Sequence, residues 1–238
     1  MGCYAVQSSK FYSESYIDWK GWGEFLSCTA AEAEYFAAEF RSEKIADGDV
    51  LEIGFGSGAF LKWAKDNGAR VFGYEVNEAL CDTAERNAIA LIDISSPDIV
   101  NQHIAMFDTI VALDVMEHIP IDDIPGVLSS IEKLLRRGGA AILRFPNAQS
   151  PFGLAPQHGD VTHLTALSRG KFEQLLAGTA LKITAYRNAR IPIGRSVPIV
   201  LVRLARRTLR NLISSLMSFA YAHNLPLDPV VVLVLRKS

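Results

Sequence analysis

The sequence predicts an α/β fold, with a mostly parallel sheet covered by helices on both faces. Three observations carry this. Short, continuously apolar runs alternate with helical segments from Val50 onward, as strands buried on both faces require. The first run passes directly into a glycine-rich turn that opens a helix, the mark of a ligand-binding crossover. The chain has 238 residues, 49% of them hydrophobic and 21% charged, enough for one large domain with a true core.

The elements follow in order. Residues 1–45 form an N-terminal segment. Its first part carries Tyr4, Phe11, Tyr12, Tyr16, Trp19, Trp22 and Phe25 with Gly21 and Gly23, and reads as irregular structure packed over a site. Thr29–Lys44 is rich in alanine and glutamate, with Tyr35, Phe36 and Phe40 at helical spacing. The core, residues 46–190, starts with strand Val50–Ile53 and helix Ala59–Lys65. Strand Arg70–Tyr74, helix Asn77–Asn87, strand Ala88–Ile92 and strand Phe107–Leu113 come next. Asp122–Arg137 is amphipathic, with Pro125 tolerated in its first turn. Gly138 and Gly139 are expected to end it in the left-handed conformation. Ala140–Phe145 is a strand, Ser168–Leu176 a helix and Leu181–Arg187 a strand. Residues 191–227 are an insert, and residues 228–238 hold the seventh strand, Val230–Leu235.

Composition narrows the function. A net charge of −2 is not that of a protein built to neutralise a phosphate backbone, so nucleic acid is not the expected partner. Cys3, Cys28 and Cys81 are far apart, which supports neither a zinc site nor a disulfide framework. No leader pattern opens the chain and no apolar run reaches the ~18 residues of a spanning helix. A cytoplasmic, reduced protein is expected.

The sharpest motif is Glu52-Ile53-Gly54-Phe55-Gly56-Ser57-Gly58. Glycine is needed where the turn is tight and the backbone must approach a ligand that a Cβ would block. With Ala59 the run also satisfies the relaxed dinucleotide fingerprint. Glu75 ends the second strand, where a carboxylate can accept hydrogen bonds from both hydroxyls of a ribose. That supports a nucleoside ligand without choosing the cofactor, so an NAD(P)-dependent oxidoreductase stands as an alternative.

The E-x-G-x-G-x-G run resembles motif I of class I S-adenosylmethionine (SAM)-dependent methyltransferases. Phe107-Asp108 through Asp114-Val115-Met116-Glu117-His118, a following Pro120 and Leu134–Gly139 resemble ubiquinone-biosynthesis-type members. Arg144–Gly153 and His158-Gly159-Asp160-Val161-Thr162-His163 resemble bacterial methyltransferases of surface-polysaccharide and other glycan pathways. The resemblance covers about Asp49 to Leu181 and resumes at the last strand. It implies a Rossmann-like seven-stranded sheet with a helical insert before the last strand. SAM would be held by Glu52, Gly54, Gly56, Gly58, Glu75 and Asp114, with Asp93 at the adenine amino group and Ile94 against the ring. The implied activity is methylation of a small-molecule or glycan acceptor at a hydroxyl, or a non-catalytic SAM-binding role.

A hydroxyl acceptor must lose a proton, and imidazole suits that task. His163 is the first expectation for the base, oriented by Asp160, with His118 and His158 behind it. Arg144, Asn147 and His158 are expected to hold an anionic or polyhydroxy substrate. Glu117, His118, His158, Asp160 and His163 are rich in metal donors, but their spacing matches no metal motif and no metal is expected.

The insert is basic. No acid occurs from Gln174 to Leu227, and Arg203, Arg206, Arg207 and Arg210 lie largely opposite Leu201, Leu204, Leu209, Leu212 and Leu216 on a helix. Such a helix serves as a lid, as a homodimer element, or as a peripheral contact at the inner face of a membrane through those four arginines.

Overall fold

In the computed structural model, residues 21, 23–192, 197–221 and 226–238 are described. The aromatics Tyr4 through Trp22, Cys3 and Arg195 lie outside the described residues. Burial along the strands has period two, with both parities apolar. Leu51, Ile53, Ile110, Ala112, Ala141, Leu143 and Leu233 join one core cluster. Val50, Val111, Ala140, Ile142, Val232 and Val234 join another. Successive strand side chains point to opposite faces, so each face of the sheet needs its own cover.

The seven strands are β1 (Asp49–Ile53), β2 (Arg70–Tyr74), β3 (Ala90–Leu91), β4 (Phe107–Leu113), β5 (Leu135–Pro146), β6 (Leu181–Asn188) and β7 (Val230–Lys237). Their spatial order is β3-β2-β1-β4-β5-β7-β6. All neighbours are parallel except that β7 runs antiparallel to both β5 and β6. The chain turns from one half of the sheet to the other between β1 and β4, the switch point at which open α/β sheets bind ligands.

One face is covered by helices α1 (Ala30–Glu39) and α2 (Ala59–Asp66). Thr29 and Glu32 form a capping box at the start of α1. Phe36 of α1 and Phe40 at its C-cap lie 5.4 and 4.7 Å from Phe60 of α2 between ring centroids. Helices α3 (Glu78–Arg86) and α4 (Pro97–Gln102) follow β2 and β3. On the other face, α5 (Ile124–Leu134) buries Ile124, Leu128, Ile131 and Leu134. Helices α6 (Leu154–His158) and α7 (Arg169–Leu175) precede β6, and α8 (Val197–Tyr221) fills the insert.

Two sequence expectations are corrected, and one further helix is added. Gly138 and Gly139 do not end a helix. Helix α5 stops at Leu134, and the pairing register jumps from Phe107↔Leu135 to Thr109↔Ala140, so residues 136–139 bulge from β5 with Gly138 at φ +78°. Arg136 pins this bulge by donating to Asp108 at 2.5 Å and to Asp49 at 2.7 Å. The third strand shrinks to Ala90–Leu91 because Ala88 takes a left-handed turn after α3. Helix α4 was not foreseen, although Ser96 at its N-cap and Pro97 in its first turn are an ordinary start signal.

Candidate active site

A cleft of about 620 Å³ opens over the carboxyl ends of β1, β2 and β4, a size suited to a cofactor and part of a substrate. Its floor is the turn after β1. Gly54 sits at φ +67°, and a Cβ there would lie 2.5 Å from a Val115 methyl, so the turn admits only glycine in both conformation and space. Gly54 N–H donates to the Tyr74 carbonyl at 2.7 Å, and Gly56 N–H donates to Glu75 Oε2 at 3.2 Å. The other Glu75 oxygen accepts from Val76 N–H at 2.8 Å and Asn77 N–H at 3.2 Å. Burial raises the Glu75 pKa against the lowering pull of these three N–H groups.

Glu52, at the end of β1, also lines the cleft and is 4% exposed. Its Oε2 is buried with no hydrogen-bond partner among the described residues. Burial pushes its carboxyl well above the ordinary carboxylate range; the Leu61 N–H and Arg144 act downward, and Glu75 acts upward. A buried oxygen without a donor beside a second carboxylate is suited to a cationic ligand group. The donor set therefore fits SAM. Glu52 answers a positively charged methionine end, Glu75 a ribose, and the buried Ile94 an apolar ring.

The arrangement departs from expectation at three cofactor positions. Asp93 is exposed and outside the lining. Its Oδ1 accepts from Ser95 N–H and Ser95 Oγ at 2.9 and 2.6 Å, the local turn that a loop-opening aspartate makes. Gly58 faces Phe25 and Leu26 rather than the cleft; a Cβ there would meet Leu26 Cδ2 at 3.0 Å. Asp114 lines the cleft at φ +58° but is held by Arg144 through Nε to Oδ1 at 3.0 Å and Nη2 to Oδ2 at 2.5 Å. The same guanidinium lies 5.3 Å from the Tyr35 ring centroid. Burial acts to lower the Arg144 pKa, yet Asp114 and Tyr35 hold it above its ordinary value. Arg144 is thus a clamp on Asp114, not an open fork for a substrate.

The histidines are also reordered. Only His118 among the expected bases lines the cleft. Its Nδ1 lies 3.1 Å from the Thr162 carbonyl and 3.0 Å from Thr162 Oγ1, which places the hydrogen on Nδ1 and the lone pair on Nε2. Thr162 Oγ1 in turn donates to Asp160 Oδ1 at 2.5 Å. Asp160 therefore orients His118 through Thr162. His163 stands behind His118, edge to face at 4.7 Å between centroids. Its Nδ1 lies 3.2 Å from the Gln157 carbonyl, and its Nε2 is 3.9 Å from Asp160 and 4.0 Å from Glu117. Glu117, His118 and His163 present donor atoms within 4.8 Å of one another, a set able to hold a metal ion where no sequence spacing suggests one.

Two substrate expectations fail on position. His158 is exposed at the end of α6, outside the lining. Asn147 is completely buried: Nδ2 donates to the Pro226 and Asp228 carbonyls at 2.8 and 3.2 Å. Its Oδ1 accepts from Gln149 N–H and the Tyr186 hydroxyl at 3.1 and 3.2 Å. Its hydrogen-bonding capacity is spent on bracing the approach to β7. Conversely, sequence reasoning missed Tyr35 and Glu32, cleft residues carried on α1, and Thr162. The Asp-x-Thr spacing is a recognisable side-chain turn and could have flagged Thr162; nothing in the sequence marks Tyr35 as more than a helix-face aromatic.

Comparison with known proteins agrees with this geometry. A family model described as a methyltransferase domain matches residues 29–186. No curated protein matches the sequence. The fold is similar to that of a SAM-dependent methyltransferase from Archaeoglobus fulgidus, at 17% identity and TM-score 0.60, covering 99% of this chain and 100% of that one. It is similar to a SAM-dependent methyltransferase from Mesorhizobium loti, at 15% identity and TM-score 0.55, covering 86% and 98%. A geranyl diphosphate methyltransferase in complex with GPP and sinefungin matches at 15% identity and TM-score 0.55, covering 88% and 78%.

Proposed function

Because the chain belongs to the methyltransferase-domain family, we propose that it methylates a hydroxyl on a small-molecule or glycan acceptor, with His118 as the base. It is a SAM-dependent methyltransferase, and the nicotinamide alternative left open by the glycine loop is set aside. When bound, SAM supplies a methyl group on a sulfonium. Glu52, Gly54, Gly56, Glu75 and Ile94 would hold it.

The observation that carries the base assignment is the relay from Asp160 through Thr162 to Nδ1 of His118, on the one expected histidine that lines the cleft. A base oriented by a second group is the usual arrangement for removing a hydroxyl proton. His118 accepts that proton, and Asp160 stabilises the resulting imidazolium through Thr162. The resemblance of the His158–His163 stretch to glycan-pathway enzymes supports a polyhydroxy acceptor.

Transfer of labelled methyl from SAM to a panel of sugars, saccharides and hydroxylated small molecules tests this. With an acceptor in hand, His118→Ala should keep SAM affinity and lower kcat by about 10²–10⁴. An unchanged kcat sinks the assignment. SAM binding without transfer to any acceptor would favour a regulatory SAM-binding protein. A second reading rests on the Glu117–His118–His163 donor set: a divalent ion there would polarise the acceptor hydroxyl. It requires activity lost on chelation and restored by added magnesium, manganese or zinc.

A further inference from the structure

Helix α8 is turned opposite to an ordinary surface helix. Its half-buried residues are Val200, Arg203, Ser214, Met217 and Ser218. Arg203 Nη1 donates to Glu34 of α1 at 3.2 Å and to the Pro192 carbonyl at 3.0 Å. Arg210 Nη1 donates to Asp228 at 2.9 Å. The polar side therefore faces the protein and fastens the helix to it. This corrects part of the sequence expectation, since two of the four arginines named for a membrane are engaged inward.

The apolar side faces away. Leu201, Leu209, Leu212, Leu216 and Phe219 are 57% to 88% exposed, and at 3.6 residues per turn they fall within an arc of about 80°. They run about 27 Å along the axis, with exposed Arg206 about 60° beyond one edge of the arc and Arg207 on the protein-facing half beside Arg203. The helix carries no acidic residue. Among the described residues no helix is long and apolar enough to cross a membrane, so a lipid contact would be in-plane. Pairing two copies through this face would leave Arg206 at its edge with no helix carboxylate opposite it. A surface that is apolar within and negatively charged at its boundary meets both requirements.

We propose that α8 is an in-plane anchor to an anionic bilayer. The leucine face enters the interface between headgroups and acyl chains, and Arg206 engages anionic headgroups. The anchor does not depend on the acceptor assigned above, but it bears on delivery. Helix α1 supplies both Glu34 to the anchor and Glu32 and Tyr35 to the cleft, so docking sets one cleft wall close to the membrane surface.

Flotation of the full chain with phosphatidylcholine–phosphatidylglycerol vesicles at about 7:3, against phosphatidylcholine alone, tests it. Wild type should bind the anionic vesicles at low salt and release as salt is raised. Leu209→Ser with Leu212→Ser and Leu216→Ser should abolish binding, and Arg206→Gln should weaken it about fivefold. All variants should keep SAM binding and the wild-type circular dichroism spectrum. Failure of wild type to bind at low salt overturns the proposal. So does a solution dimer that the triple serine variant converts to monomer, which would assign the face to a second copy.

Discussion

Arg144 and Asp114 form a two-bond ion pair at the wall of the cleft, Nε to Oδ1 at 3.0 Å and Nη2 to Oδ2 at 2.5 Å. They come from the carboxyl ends of adjacent strands, β5 and β4, paired at Leu113↔Arg144. Asp114 holds a left-handed backbone that the clamp helps to keep. Arg144→Ala should weaken SAM binding about tenfold or more, since hydrogen bonds to charged groups carry about 1.5–3 kcal/mol. Arg144→Lys should not rescue it, because an ammonium lacks the planar fork. Calorimetric titration with SAM checks both, and full affinity in Arg144→Ala would show that Asp114 needs no clamp.

Glu52 links stability to pH. Its folded pKa is raised, chiefly by burial, so between the ordinary carboxylate range and that raised value the native state holds a proton the unfolded state has lost. Stability of the free protein then falls as pH rises through this window. Glu52→Gln should be nearly neutral in acid and raise Tm relative to wild type as pH increases. Bound SAM, being cationic at sulfur, favours the ionised form, so its affinity for wild type should rise with pH and binding should release a proton. Titrations in buffers of different ionisation enthalpy count that proton; a Tm difference that is flat with pH would refute the argument.

Gly54→Ala combines a left-handed φ with a contact 2.5 Å from Val115. It should cost about 2–4 kcal/mol, lowering Tm by about 5–15 °C for a chain of this size. SAM binding should also fail because the turn cannot keep its shape. Thermal denaturation with and without SAM measures both effects.

Asn147→Ala separates bracing from substrate contact. Removing a fully buried amide leaves the Pro226 and Asp228 carbonyls without their donor, at a cost of about 2–4 kcal/mol. The variant should lose thermal stability while KM for the acceptor stays near wild type. A raised KM at unchanged Tm would return Asn147 to the substrate.

Local signals in the sequence define the sheet and the glycine turn at the floor of the cleft. Both are local: apolar runs at strand length define β1, β2 and β4, and glycines plus an acid at a strand end mark the Gly56–Glu75 contact. The acceptor side was only partly legible. His118, His163, Asp160, Thr162 and Glu117 stand within two short segments, yet which histidine borders the cleft depends on how the segment after β5 folds over the end of β4. Tyr35 lines the cleft from α1, a helix docked on α2 through Phe36 and Phe60, and that docking is a tertiary contact. The orientation of α8 likewise escaped the periodicity, which defines two faces but not which one meets the protein. Glu34 and Asp228 decide that, from positions 169 and 18 residues from their arginine partners, because ion pairing is set by proximity in space and leaves no period in the chain.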